Sequence, residues 1–160
     1  MTEQEARRAR ADDVPGLARL ADRAYRPYLA RMAGKRPAPM DADYAHAVGH
    51  DEAWVIPGPD GTVLAFVVLV PGDGELLLEN IAVDPSEQGR GLGRLLLDLA
   101  EQRAVALGAT SVWLFTHASM TENQAIYTAR GYVETERGAE DGLERVFYRK
   151  RLLPGDIAPH

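Results

Sequence analysis

Glu75–Gly108, ELLLENIAVDPSEQGRGLGRLLLDLAEQRAVALG, reads as a buried strand, a turn and a long helix. Leu76 to Val83 is apolar apart from Glu79 and Asn80, the pattern of a strand covered on both faces. Asp84-Pro85 ends it, because proline lacks the ladder donor and biases its predecessor to extended geometry. Leu92, Leu95, Leu96 and Leu99 then recur at helical spacing, with Arg94, Asp98, Glu101 and Arg103 around them. Gly89, Gly91 and Gly93 at the helix start leave backbone N–H groups bare and approachable. With the helix dipole they form an anion site, and a diphosphate is the guest they suit. Arg90 and Arg94 add positive charge beside it.

The spacing narrows the phosphate ligand. No lysine follows the glycines, as a nucleotide P-loop requires, and they fall as GxGxG behind Asp84-Pro85-Ser86-Glu87, unlike a dinucleotide fingerprint. Gln88-x-x-Gly91-x-Gly93, a few residues after a Val-Asp-Pro strand end, resembles the acetyl-CoA-binding motif of the GNAT superfamily of N-acetyltransferases. Asn123-Gln-Ala-Ile-Tyr127-Thr-Ala-Arg-Gly131-Tyr132 resembles the family's downstream helix, in the family's order and spacing. A glycine-softened helix start without a ligand is the plainer reading of the first motif alone.

Composition bounds the rest. At 160 residues the chain is one domain with room for a sizeable core. We expect that domain over residues 1–152, with 153–160 a loose tail carrying prolines. The absence of cysteine excludes disulfides and thiolate-held metal, and no metal site is expected. Met1 to Arg10 is polar and charged, unlike a signal peptide, and no apolar run reaches membrane-spanning length. A net charge of −6 argues against a general nucleic-acid binder. The default is a cytoplasmic protein with a small-molecule partner, the oligomer left open, a homodimer included.

In chain order, Asp12 and Asp13 are N-cap candidates, Pro15 suits a first turn, and Leu17, Leu20, Ala21 and Ala24 form the stripe of a helix reaching toward Leu29. Gly34 to Met40 breaks helical order, and Asp41 is expected to cap a short helix over Ala42 to Val48. Glu52 to Ile56 and Thr62 to Val70 read as strands about the turn Pro57 to Gly61. Gly108 stops the long helix; Ser111 to His117 is a strand, Glu122 to Arg130 a helix, and Tyr132 to Glu136 and Leu143 to Lys150 are strands joined through Gly138 to Gly142.

With an edge strand at Glu5 to Arg10, which only the resemblance supplies, the order βααβββαβαββ is that of the GNAT fold: α/β, a mixed central sheet with splayed parallel strands flanked by helices. The resemblance implies acetyl-CoA as the cofactor. It implies that the backbone of Ile81, Ala82 and Val83 holds pantetheine, and that Gln88, Gly89, Arg90, Gly91, Leu92, Gly93 and Arg94 hold the diphosphate. Tyr127 matches the family tyrosine near the thioester sulfur and is the candidate acid; a helix tyrosine packing on the sheet is the alternative. Asn123, one helical turn earlier, shares its face and suits the pantetheine end, although local backbone capping explains it too. Many relatives carry asparagine seven residues before the tyrosine; Met120 stands here.

The base has two candidates. Glu79 inside an apolar strand is costly to bury and acquires a raised pKa there, which suits a base acting on an ammonium. An arginine partner, or a solvated place at the crevice mouth, accounts for it equally. His117 ends the neighbouring strand with a suitable intrinsic pKa, yet strand-end histidines often bind backbone. Some relatives place a glutamate on that strand; Phe115 and Thr116 stand here.

Tyr25, Tyr28, Met40 and Tyr44 place aromatic and soft side chains around Pro37-Ala38-Pro39. Of these, Tyr28, Met40 and Tyr44 are expected to join Glu79 and His117 in the acceptor pocket, although Met and Tyr there also suit core. The reading is an acetyl-CoA-dependent N-acetyltransferase acting on a small primary amine by direct transfer. Protein N-terminal or lysine acetylation and a non-catalytic acyl-CoA sensor are the competing readings.

Overall fold

The computed structural model describes residues 5–140 and 143–152; the expected tail at 153–160 lies outside the described residues. Its elements run β1 (Arg7–Arg8), α1 (Val14–Tyr25), α2 (Tyr44–His50), β2 (Glu52–Pro57), β3 (Val63–Pro71), β4 (Glu75–Val83), α3 (Leu92–Ala106), β5 (Ser111–His117), α4 (Thr121–Ala129), β6 (Val133–Glu140) and β7 (Leu143–Arg151). They build one seven-stranded sheet in the order β1-β2-β3-β4-β5-β7-β6. Every neighbouring pair is antiparallel except β4 and β5, the two strands joined by the crossover helix α3.

Several boundaries differ from expectation, the edge strand among them: expected over Glu5 to Arg10, it is confined to Arg7–Arg8. Asp43, not Asp41, caps α2, its carboxylate accepting the His46 N–H at 2.9 Å, while Asp41 pairs with Arg36. The first helix gives way after Tyr25 to a tighter turn over Arg26–Tyr28, with proline at its start. Gly138 lies within β6 rather than in a turn, because the hairpin pairing continues to Glu140↔Leu143. Residues 141–142 of the expected turn lie outside the described residues.

Two cores cover the two faces of the sheet. Leu17, Leu20 and Ala21 of α1 and Ala47 of α2 pack with Val55, Phe66 and Val68 on one face. On the other, Leu92, Leu96, Leu97, Ala100 and Ala104 of α3 pack with Val67, Leu69, Leu76 and Leu114. The buried stripe of α3 is therefore rotated from the expected one: Leu97 is inside, and Leu95 and Leu99 flank it. Glu101, expected on the polar side, is buried at 5% exposure. It is accommodated because Lys150 Nζ (2.8 Å), Arg130 (3.1 Å) and the Tyr132 hydroxyl (3.2 Å) donate to its carboxylate.

Two irregularities shape the middle of the sheet. β4 and β5 pair only from Glu75↔Ser111 to Leu77↔Trp113 and then part, although β5 stays paired with β7 to its end. Opposite, the β3–β4 register steps from Leu69↔Leu78 to Val68↔Asn80, leaving Glu79 as the extra residue of a bulge. Leu76 and Leu78 before it face the α3 core, whereas Ala82 beyond it belongs to the α1 core. The bulge switches faces, and it sits where the parallel pair opens.

Candidate active site

The parting of β4 and β5 opens two cavities, of about 600 and 520 Å³, which share the wall residues Tyr25, Ile81, Asn123 and Tyr127. The larger is bordered by Ile81, Ala82 and Val83, by Gln88, Gly89, Gly91, Leu92, Gly93 and Arg94, and by α4. The smaller lies under the connection between α1 and α2, with Glu79, Asn80 and the end of β5 in its wall.

At the helix start Gly89 and Gly91 have φ of +87° and +82°, the left-handed region glycine enters without strain. The first intrahelical bond beyond the cap runs from Leu95 N–H to Gly91 C=O at 3.0 Å. The amides of Leu92, Gly93 and Arg94 precede it and are directed out of the helix end, where the dipole favours an anion. A Cβ built on Gly89 or Gly91 meets no atom within 4 Å, so the cradle beside them is open space. This fits a diphosphate. Arg90 departs from expectation: it pairs with Glu87 at 3.3 Å and is absent from the cavity wall, while Arg94 is in it.

Beyond Leu77 one edge of β4 has no strand partner. One group on it is already engaged: the Tyr25 hydroxyl donates to the Ile81 carbonyl at 2.7 Å. Tyr25 holds α1 to β4 where the cavities meet. The expected place of Tyr25 near the acceptor pocket agrees with its position in the smaller cavity's wall, whereas the bond itself, between residues 56 apart, was not legible in sequence.

Tyr127, on the inner face of α4, is 5% exposed and packs against Tyr132 and Tyr148 at ring distances of 6.0 and 6.1 Å. Burial, with Tyr28 nearby, pushes its hydroxyl well above the ordinary phenol range, so it stays protonated at neutral pH. Asn123 is half-buried in both cavity walls, its amide directed at Met120 Sδ at 3.9 Å.

Glu79 is exposed at the mouth of the smaller cavity, the solvated alternative among its expected places, because the bulge turns it out of the core. Its pKa is raised, first by the desolvating cavity wall and then by Asp51, with His46 opposing. His117 lines the same cavity, but its Nδ1 accepts the Ser119 N–H at 3.0 Å and lies 2.7 Å from the Ser119 hydroxyl. That acceptance puts the neutral ring's proton on Nε2, and desolvation lowers the pKa further.

The expected acceptor residues divide. Tyr44 is core: it is 3% exposed, donates to the Pro39 carbonyl at 2.6 Å and stacks edge-on against Phe66. Met40 packs against the α1 core and is absent from the cavity wall. Tyr28 lines the larger cavity instead, its hydroxyl donating to Glu122 at 3.2 Å. In their place stand His46, Asp51, Asn80 and Arg145, residues dispersed in sequence and gathered only by the fold.

A mixed sheet whose parallel pair parts over a glycine-rich helix start defines a coenzyme-A-dependent acetyltransferase architecture. The chain belongs to the acetyltransferase (GNAT) family, whose model matches residues 17–132. Members of this family take their acetyl group from acetyl-CoA. The ribosomal protein bS18-alanine N-acetyltransferase of Salmonella typhimurium is 34% identical over 93 residues, 52% of this chain and 63% of that protein. The mycothiol acetyltransferase of Beutenbergia cavernae is 34% identical over 87 residues, 52% of this chain and 29% of that one. Both matches thus span less than two thirds of the relative's own length. Among solved structures, the PaiA N-acetyltransferase of Thermoplasma acidophilum, in complex with coenzyme A, superposes with a TM-score of 0.79. It is 14% identical, with 94% of this chain and 100% of that one covered, a likeness of fold.

Proposed function

We propose that the protein transfers acetyl from acetyl-CoA directly to a primary amine of a small molecule. The observation that carries this is the meeting of two cavities at Tyr25, Ile81, Asn123 and Tyr127, one bordered by the glycine turn and the other by Glu79. When bound, acetyl-CoA supplies the acetyl group as an activated thioester.

The chain's own residues then bind, orient and move protons. The amides of Leu92, Gly93 and Arg94 hold the diphosphate, with the Arg94 side chain beside them. The unpaired edge of β4 at Ala82 and Val83 orients the pantetheine arm, with Asn123 at its end. Glu79 removes a proton from the acceptor ammonium, directly or through water, so that the nitrogen carries a free lone pair. Tyr127 keeps its hydroxyl proton until the sulfur leaves and then donates it. Holding both partners at one junction converts a bimolecular encounter into a local one. His117 is the weaker base: Nδ1 is engaged by Ser119 and Nε2 bears the proton.

Protein N-terminal acetylation is the second reading, favoured by the similarity to bS18-alanine acetyltransferases. Against it, Met32, Pro37, Ala38 and Pro39 wall the acceptor cavity where a chain end would have to thread. Free-thiol release from acetyl-CoA, compared between a panel of primary amines and a panel of short peptides, tests the choice. Faster turnover of peptides by tenfold or more in kcat/KM would reverse it.

A further inference from the structure

Asn80 is 94% buried by its 6% exposure and forms part of the wall of the smaller cavity. Among the described residues no group hydrogen-bonds its side chain, and its polar atoms reach the cavity rather than the packed interior. The amide is therefore open to whatever occupies the cavity, water in the free protein or the polar head of an acceptor, and it is free to bond either. The β4 bulge sets Asn80 beside Glu79, and both line the same chamber. Asp51 lies near enough for its charge to act on Glu79, and His46 stands beside them. Around this polar corner the walls are apolar: Met32, Leu77, Leu114, Phe115 and Leu143. Arg145, over the Phe115 ring at 4.8 Å, also lines the chamber.

We propose that Asn80 is the acceptor-recognition residue, its side-chain carbonyl accepting a hydrogen bond from the acceptor amine, and that the acceptor is a monocationic primary amine on an apolar body. This rests on the transferase reading above and adds the class of its acceptor. The carboxylate corner attracts the ammonium, the amide fixes its direction, and the apolar walls take the rest of the molecule. A second cationic group would have to desolvate against Met32, Leu77 and Leu114, and an acceptor carboxylate would stand near Glu79 and Asp51.

The probes are 2-phenylethylamine, phenylalanine and putrescine, which share an amine and differ in body and charge. Thiol release should give 2-phenylethylamine a kcat/KM at least tenfold above the other two. Asn80→Leu, which keeps the volume and removes the amide, should raise the KM for 2-phenylethylamine roughly 10- to 100-fold, with kcat changed less than about threefold. CoA affinity and Tm should not fall. A preference for putrescine or phenylalanine overturns the acceptor class, and an unchanged KM overturns the role of Asn80. Should Asn80→Leu fail to fold, Asn80→Ala carries the same measurement. If no amine releases thiol, the transferase reading fails by itself. Calorimetric binding of 2-phenylethylamine to the CoA-loaded protein, wild type against variant, then still decides whether Asn80 recognises amines.

Discussion

The hydroxyl of Tyr25 on α1 donates to the backbone carbonyl of Ile81 on β4 at 2.7 Å, on the strand edge left free when β5 departs. The bond ties the first helix to the junction of the two cavities. Tyr25→Phe keeps the ring and leaves the carbonyl without that donor, so stability should fall by about 1 kcal/mol, a net hydrogen-bond contribution. A denaturant midpoint equal to wild type, at unchanged m, would show that the bond contributes nothing.

Gly91 should not tolerate a side chain. At φ +82° a β-branched residue is strained, and its Cβ would project into the open cradle at the helix start. Gly91→Val is expected to lose measurable CoA binding in calorimetry while keeping a cooperative unfolding transition. Wild-type affinity in a folded Gly91→Val would remove the glycine turn from the cofactor site.

Tyr127→Phe keeps the contacts with Tyr132 and Tyr148 and removes only the hydroxyl. General acid assistance is typically worth ~10²–10⁴-fold, and kcat should fall within that range with little change in Tm. A kcat within about twofold of wild type, at saturating acceptor, would reduce Tyr127 to a packing residue.

Glu79 and His117 separate by pH. The Glu79 carboxyl titrates above the usual carboxylate range, so the rate should rise with pH as it ionises and the acceptor deprotonates. Glu79→Gln should depress kcat/KM most at low pH and recover partly above about pH 9, where alkylamines begin to lose their own proton. His117→Gln should leave the ascending limb in place; its disappearance in that variant alone would exchange the two roles. The linkage sign gives a second reading. A carboxyl held more tightly protonated in the folded state stabilises it at low pH, and that contribution is lost as pH rises past the ordinary value into the raised one. Above that window Glu79→Gln should be no less stable than wild type.

Glu101 is the centre of a buried ionic cluster with Arg130, Lys150 and Tyr132. Glu101→Ala takes the carboxylate from Lys150 and leaves Arg130 with Asp98 alone at 2.7 Å. It should cost about 3 kcal/mol, the low end of the range for breaking a buried pair from one side. Chemical denaturation measures it directly. A loss under about 1 kcal/mol would mean that water replaces the carboxylate at Lys150 and Tyr132.

Sequence alone determined what depends on near neighbours. The strand–turn–helix of Glu75–Gly108, the glycines of the anion cradle and Tyr127 four residues before Gly131 follow from periodicity and turn chemistry within one segment. These local terms also made the element order and the family resemblance legible. Glu79 and Asn80 show where that reading ends. As letters in an apolar strand they left Glu79 either buried or at a solvated crevice mouth, and the bulge against Val68 and Leu69 exposes Glu79 and buries Asn80. A bulge is a mismatch between two strands, so neither strand carries it alone. The same holds for Tyr44, whose hydroxyl could have faced a pocket but is held by Pro39 and Phe66, and for His117, whose ring nitrogen is claimed by Ser119. The acceptor cavity was decided by tertiary structure because its walls come from α2, β4, β5 and β7, and their side chains converge only once the parallel pair has opened.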